Sequence, residues 1–217
     1  IAVRQGECSR GGPVLWAVDS AGDIRYSADE GASWQAALGL PAQAPIAKVV
    51  AAPGAAPSPE LFLGIGSAVY RLTLQEGRPS ADRLAIGTLD SPVHFILPVP
   101  GRSARLCIVT ARGSVYRLMA EDEHWRLQGQ EALPYGVEPQ EMVFIPRRQA
   151  APLLLAIVRD GLLVSDDLGT NWTFSRISEL QKAQVRHIVA SAASPGAAYL
   201  GSEHGGVYGG VLAGPQL

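Results

Sequence analysis

Four residues able to do chemistry recur at an almost constant interval: Lys48, His94, Glu141 and His187 stand 46, 47 and 46 residues apart. Arg4 falls near the same place one interval earlier. Each sits just inside an apolar run, where a polar group needs a partner or water. Brought together they would form a ring of mixed charge, filled with ordered water or holding a small anion or polar ligand. His94, Glu141 and His187 alone would offer two imidazoles and a carboxylate, a ligand set for zinc or iron. The charges of Lys48 and Arg4 oppose a cation, so no metal and no cofactor is assigned.

Charged residues also gather between the apolar runs. One set of short turns carries Asp19 and Asp23, then Arg112, then Arg159 and Asp160, then Glu203 and His204. A second set carries Asp90, then Glu131, Tyr135 and Glu138, then Glu179 and Lys182. Charged turn tips ordinarily just face water. Arg112, Arg159 and His204 would suit an anionic or polar ligand. Two carboxylates about 5–10 Å apart would suffice for glycoside hydrolysis, with Asp160, Glu203, Asp19 and Glu138 as candidates.

The elements that must position these groups repeat. The runs VLWAVDSAGDIRYS, LFLGIGSAVYRL, LCIVTARGSVYRL, LLAIVRDGLLVS and AAYLGSEHGGVYGG align so that Ser27, Arg71, Arg117, Ser165 and Gly209 fall level, 44, 46, 48 and 44 residues apart. An apolar run precedes each, and a shorter run follows all but the last, often opened by Trp. Each unit thus reads as strands A, B, C and D, short and punctuated by Gly, Pro, Asp and Ser. The period matches one four-stranded blade of a β-propeller. The fold expected is all-β, a single propeller over 1–217 with blades at 1–38, 45–88, 92–130, 139–178 and 185–217. The fifth unit stops without a strand D, which leaves an incomplete last blade or a piece of a larger propeller. The one helix-like stretch, 177–184, reads as a single turn.

Two units share an octapeptide: Ser27-Ala-Asp29-Glu-Gly31-Ala-Ser-Trp34 and Ser165-Asp-Asp167-Leu-Gly169-Thr-Asn-Trp172. It resembles the Asp box, or bacterial neuraminidase repeat, of sialidases, sortilin-type receptors and photosystem II assembly factors. Unit three keeps a remnant from Glu121 to Trp125, and unit two has none. The expected role is structural. Asp29 and Asp167 accept backbone N–H groups of their own turn, as Asx turns do. Gly31 and Gly169 supply a positive φ, and Trp34 and Trp172 cover the blade's edge. The resemblance implies that the A–B and C–D loops lie on one face and the B–C and D–A loops, with the charged turns above, on the other. It also implies an extracytoplasmic site of action, periplasmic or secreted. A sialidase would need an arginine triad and a Tyr–Glu nucleophile pair. Tyr135 with Glu131 or Glu138 imitates that pair, but a third arginine and the Phe-Arg-Ile-Pro signature are missing.

Composition narrows the partners. With 47% hydrophobic and 18% charged residues the chain can build a core and is not disordered. A net charge of −2 without a basic patch speaks against nucleic acid, and no run approaches a membrane span. Ile1 opens the chain without a Met or a leader pattern, as in a trimmed product. Cys8 and Cys107 make no disulfide framework. Cys107, inside LCIV, reads as a buried thiol. The function expected is a non-catalytic binding or assembly module that presents its B–C and D–A loops to a protein or a polar or glycan ligand. A glycoside hydrolase is the alternative.

Overall fold

A computed structural model describes residues 2–8, 11–18, 23–36, 46–52, 60–75, 78–100, 105–121, 124–176, 184–191 and 193–211. They form five antiparallel sheets, each built in chain order from the inside out. The first holds β1 (Ala2–Cys8), β2 (Gly11–Val18), β3 (Ile24–Ser27) and β4 (Gln35–Ala36). The second holds β5 (Ile46–Ala52), β6 (Glu60–Ile65), β7 (Ala68–Gln75) and β8 (Arg78–Arg83). The third holds β9 (Val93–Pro98), β10 (Arg105–Thr110), β11 (Ser114–Glu121) and β12 (His124–Ala132). The fourth holds β13 (Glu141–Ile145), β14 (Leu153–Val158), β15 (Gly161–Ser165) and β16 (Thr173–Ser175). The fifth has three strands, β17 (Val185–Ala190), β18 (Ala197–Ser202) and β19 (Val207–Val211). Seven of the eight residues of the helix-like stretch 177–184 lie outside the described residues.

The innermost strands run in series: β1 lies against β5, β5 against β9, β9 against β13 and β13 against β17. An inner sheet is therefore covered on both faces, which explains its composition. All six residues of β14, LLLAIV, are buried, a continuous apolar run rather than an alternating one. Its even-numbered side chains join Phe95, Cys107, Val115 and Phe144 between the third and fourth sheets. Its odd-numbered ones join Ile145, Leu162, Ile188 and Ala198 between the fourth and fifth. Between the second and third sheets the Phe62 and Trp125 rings meet edge to face, centroids 5.2 Å apart, beside Val69, Leu106 and Tyr116. Each such large side chain contributes about 1.5–3 kcal/mol by leaving water. The outer strand β16 is exposed throughout.

Strand pairing corrects the alignment of the repeats by one residue. Counted from the B–C turn, Arg71 and Arg117 match Val164 and Tyr26, not Ser165 and Ser27. Their side chains thus face the following sheet. Arg117 is ion-paired to Glu131 across β11 and β12, and Arg71 lies 3.7 Å from Glu60. Gly129, opposite Arg117 in the ladder, leaves the space its guanidinium fills. Glu131, expected in a loop, belongs to β12, because that strand runs on to Ala132.

Candidate functional site

The two octapeptides fold alike. The Ser27 hydroxyl donates to Asp29 Oδ1 at 2.7 Å and accepts the Gly31 N–H at 2.8 Å. Ser165 does the same with Asp167 and Gly169, at 2.8 Å each. Asp29 accepts the Ser33 N–H and hydroxyl (2.8 and 2.6 Å), and Asp167 accepts the Asn171 N–H and side-chain amide (2.9 and 2.7 Å). The Trp34 and Trp172 indole N–H groups donate to the carbonyls of Gly31 and Gly169, both at 3.1 Å. The bonds from Ser33 and then Ser27 hold the Asp29 carboxyl down at about 2. Burial pushes Asp167 up, but its bonds from Asn171, Ser165 and Thr170 outweigh it and the net shift is downward. The turn needs two successive left-handed residues, Glu30 and Gly31 (φ 58° and 95°) or Leu168 and Gly169 (62° and 90°). Leu168 packs on the core between the third and fourth sheets, and its carbonyl accepts the Cys107 thiol at 3.7 Å. Both carboxylate oxygens of Asp29 and both of Asp167 are engaged within their own hairpins, as a structural role requires.

The opposite ends of the sheets hold the charged turns. There a groove of about 840 Å³ opens between the third and fourth sheets. His94 comes from β9, Glu138 and Gln140 from the link between β12 and β13, and Arg159 and Asp160 from the β14–β15 turn. The floor and walls are Val137, Pro139, Val158, Leu163 and Phe174, with Arg176 just past β16. A second, more polar recess of about 520 Å³ lies across Arg159 and Asp160, reaching Gln184 and Arg186. The groove thus joins four of the expected site residues, His94, Glu138, Arg159 and Asp160. Both arginines and both carboxylates sit around an apolar floor.

The other candidates go elsewhere. His187 Nδ1 lies 3.2 Å from Glu141 Oε2, which also accepts the Ile188 N–H at 3.0 Å. That carboxylate therefore ties β13 to β17. His94 stands edge-on to Phe95, ring centroids 4.4 Å apart. Among the described residues no three His, Cys, Asp or Glu side chains are grouped to hold a metal ion, so His94, Glu141 and His187 do not form that ligand set. Glu203 pairs with Arg186 at 2.9 Å, the arginine that lines the second recess with Asp160, and His204 is exposed in the same turn. Arg112 is exposed, its N–H bound to the Ser91 hydroxyl at 3.0 Å. Asp90 accepts the Thr110 and Ser114 hydroxyls at 2.9 and 2.5 Å. Burial raises it, and the bonds from Ser114, Thr110, Tyr116 and Ser91 bring it below its ordinary value. It locks a loop to a turn. Asp23 is exposed and has an interaction partner. Asp19, Glu179 and Lys182 lie outside the described residues, as do the side chains of Arg4, Lys48 and Tyr135.

Sequence reasoning missed Phe174 and Arg176. It looked for chemistry in loops and in the innermost strands, whereas Phe174 lies in the outer strand β16 and Arg176 just past it. The signal was an aromatic in a strand otherwise polar, TFSR.

Neither a known family model nor a curated protein matches the chain. Solved structures do. The crystal structure of BBS1N in complex with ARL6DN superposes with a TM-score of 0.61 at 11% identity, over 94% of this chain and 62% of that one. YCF48 bound to D1 peptide superposes with a TM-score of 0.57 at 19% identity, over 92% of this chain and 61% of that one. Both are β-propellers. So is this chain. It spans about three fifths of the length of each of these two propellers, and at such identities the likeness shows the fold alone.

Proposed function

We propose that this propeller is a non-catalytic binding or assembly module that takes an extended protein segment in the groove between its third and fourth sheets. The observation that carries the reading is the groove's make-up: an apolar floor with Phe174 at its edge, ringed by Arg159, Arg176, Glu138 and Asp160. An apolar floor suits a side chain, and a rim of both signs suits the polar backbone and charges beside it. The two structural neighbours were solved with a protein, ARL6DN, and with a peptide, D1. The octapeptides' likeness to the Asp box supports an extracytoplasmic place of work. A second reading has one observation behind it. Glu138 and Asp160 line the same groove, as the two acids of a glycoside hydrolase would.

A displayed random-peptide library, selected on the wild type and on Arg159→Glu with Phe174→Ala, tests the first reading. Peptides enriched on the wild type and lost on the variant support it. Peptides that bind both equally place the site elsewhere. A thermal-shift panel of small anions and mono- and oligosaccharides tests the second. A ligand at about 100 times its Kd adds roughly 2.7 kcal/mol, or about 5–10 °C for a chain of this size. A shift with oligosaccharide alone, abolished in Glu138→Gln with Asp160→Asn, would favour the hydrolase.

A further inference from the structure

In every sheet one position on strand B and its neighbour on strand C face the sheet that follows. These are Trp16 and Ile24, Phe62 and Val69, Cys107 and Val115, and Leu155 and Leu162, all 4% exposed or less. Strand pairing makes Tyr199 and Val207 their counterparts in the fifth sheet. These are 49% and 75% exposed. Val189, opposite Tyr199 on β17, matches Val143 of β13, and it is 60% exposed. The sequence keeps the interface pattern, yet among the described residues none covers it. Three large apolar side chains on one face of one sheet are a patch, not scattered surface residues. The opposite face of the same sheet, Ile188, Ala198 and Leu200, is packed against the fourth.

We propose that this face seats a sixth antiparallel sheet of the same kind, so that the five sheets form an arc of a larger ring. The series of innermost strands argues for that occupant. Each of β1, β5, β9 and β13 has the next innermost strand beside it, and the exposed face continues that interface. The surface suits such a neighbour. The Tyr199 ring lies across Gly209, where a Cβ would come within 3.1 Å of it. With Val189 and Val207 beside it, that leaves an apolar seat of the kind that buries another sheet's apolar face, with His187 at its edge. The chain's span, about three fifths of the propellers it superposes on, leaves room for further sheets in a ring of that curvature.

The test places Tyr199→Glu with Val207→Glu in the 217-residue chain and in the protein as its native gene encodes it, with Leu127→Glu as a control exposed on β12. A covered face makes the pair lower Tm by about 5 °C or more in the native protein, while the 217-residue chain keeps its Tm and a monomer's mass. No change in either protein would overturn the proposal. A fall in both, with the chain monomeric, would mean that the face is covered from within these five sheets, and would overturn it too. So would a dimeric chain that the substitutions split, because the occupant would be a second copy. Hydroxyl-radical labelling of Tyr199 reads the same contact without a variant. The proposal requires protection in the native protein, and a Tyr199 as reactive there as in the 217-residue chain contradicts it.

Discussion

Gly64 decides how closely the second and third sheets approach, and through Val93 it sets the place of His94 in the groove. A Cβ at residue 64 would lie 2.6 Å from Val93 Cγ1 and 2.8 Å from Val93 Cβ. Carbon atoms rest about 3.5–4.0 Å apart, so Gly64→Ala forces a shift of roughly 1 Å between two buried strands. Overpacking of this kind costs about 1–3 kcal/mol. Alanine's smaller loss of backbone freedom in a strand returns about 0.5–1 kcal/mol. The net expectation is a destabilisation of about 1–2 kcal/mol, or a Tm lower by roughly 2–8 °C. Val93→Ala alone removes two buried methyl groups and should cost about 2 kcal/mol. If the clash is with Val93, the double variant is less damaged than the sum, with a coupling of about 1 kcal/mol. Relief is partial, since Val93 Cβ remains. Gly87→Ala, at φ 83° with open space around it, should add to Val93→Ala without coupling. Urea unfolding of the three single and two double variants measures this. Additivity between residues 64 and 93, or a stabilising Gly64→Ala, would refute the close seating of these sheets and the wall it gives the groove.

The octapeptide hairpins should make the fold acid-sensitive. Asp29 sits at about 2, below its ordinary 3.8, so its stabilisation is complete above about pH 4 and is lost as the pH falls toward 2. Asp29→Ala should therefore lower the urea midpoint at pH 7 and converge with the wild type near pH 2, and equal midpoints at pH 7 would contradict the bonding described. Asp90→Ala strips acceptors from the buried Thr110 and Ser114 hydroxyls and should cost about 2 kcal/mol, read as a lower Tm with unchanged cooperativity. Burial pushes the Cys107 thiol up to about 12. It should resist a disulfide reagent at pH 8 in a Cys8→Ser background and react fully once the chain is unfolded, and fast labelling of the native protein would place it outside the core.

What the sequence made legible follows from where the repeat is enforced. The turn chemistry of Ser27-to-Trp34 and Ser165-to-Trp172 is local, with every bond closing within four residues, so its residues can be read in a row. The five-sheet architecture was legible for the same reason, since a period of about 46 leaves each strand in a known place. The register of strand C was not. Arg71 and Arg117 look level with the serines because polar residues stand out among apolar ones, yet their partners Glu60 and Glu131 lie 11 and 14 residues away. No local pattern records that distance. The described axial candidates His94, Glu141 and His187 do not gather as three for a related reason: a shared place in the repeat fixes height along a strand, not which neighbour a side chain meets. Glu141 turns to His187 on the following sheet, while His94 lines a groove built with the turn of the fourth. The groove itself draws on three stretches, 94, 137–140 and 158–176, and what joins them is the packing of one sheet on the next. That is why a change as remote from any charge as Gly64→Ala should be felt at His94.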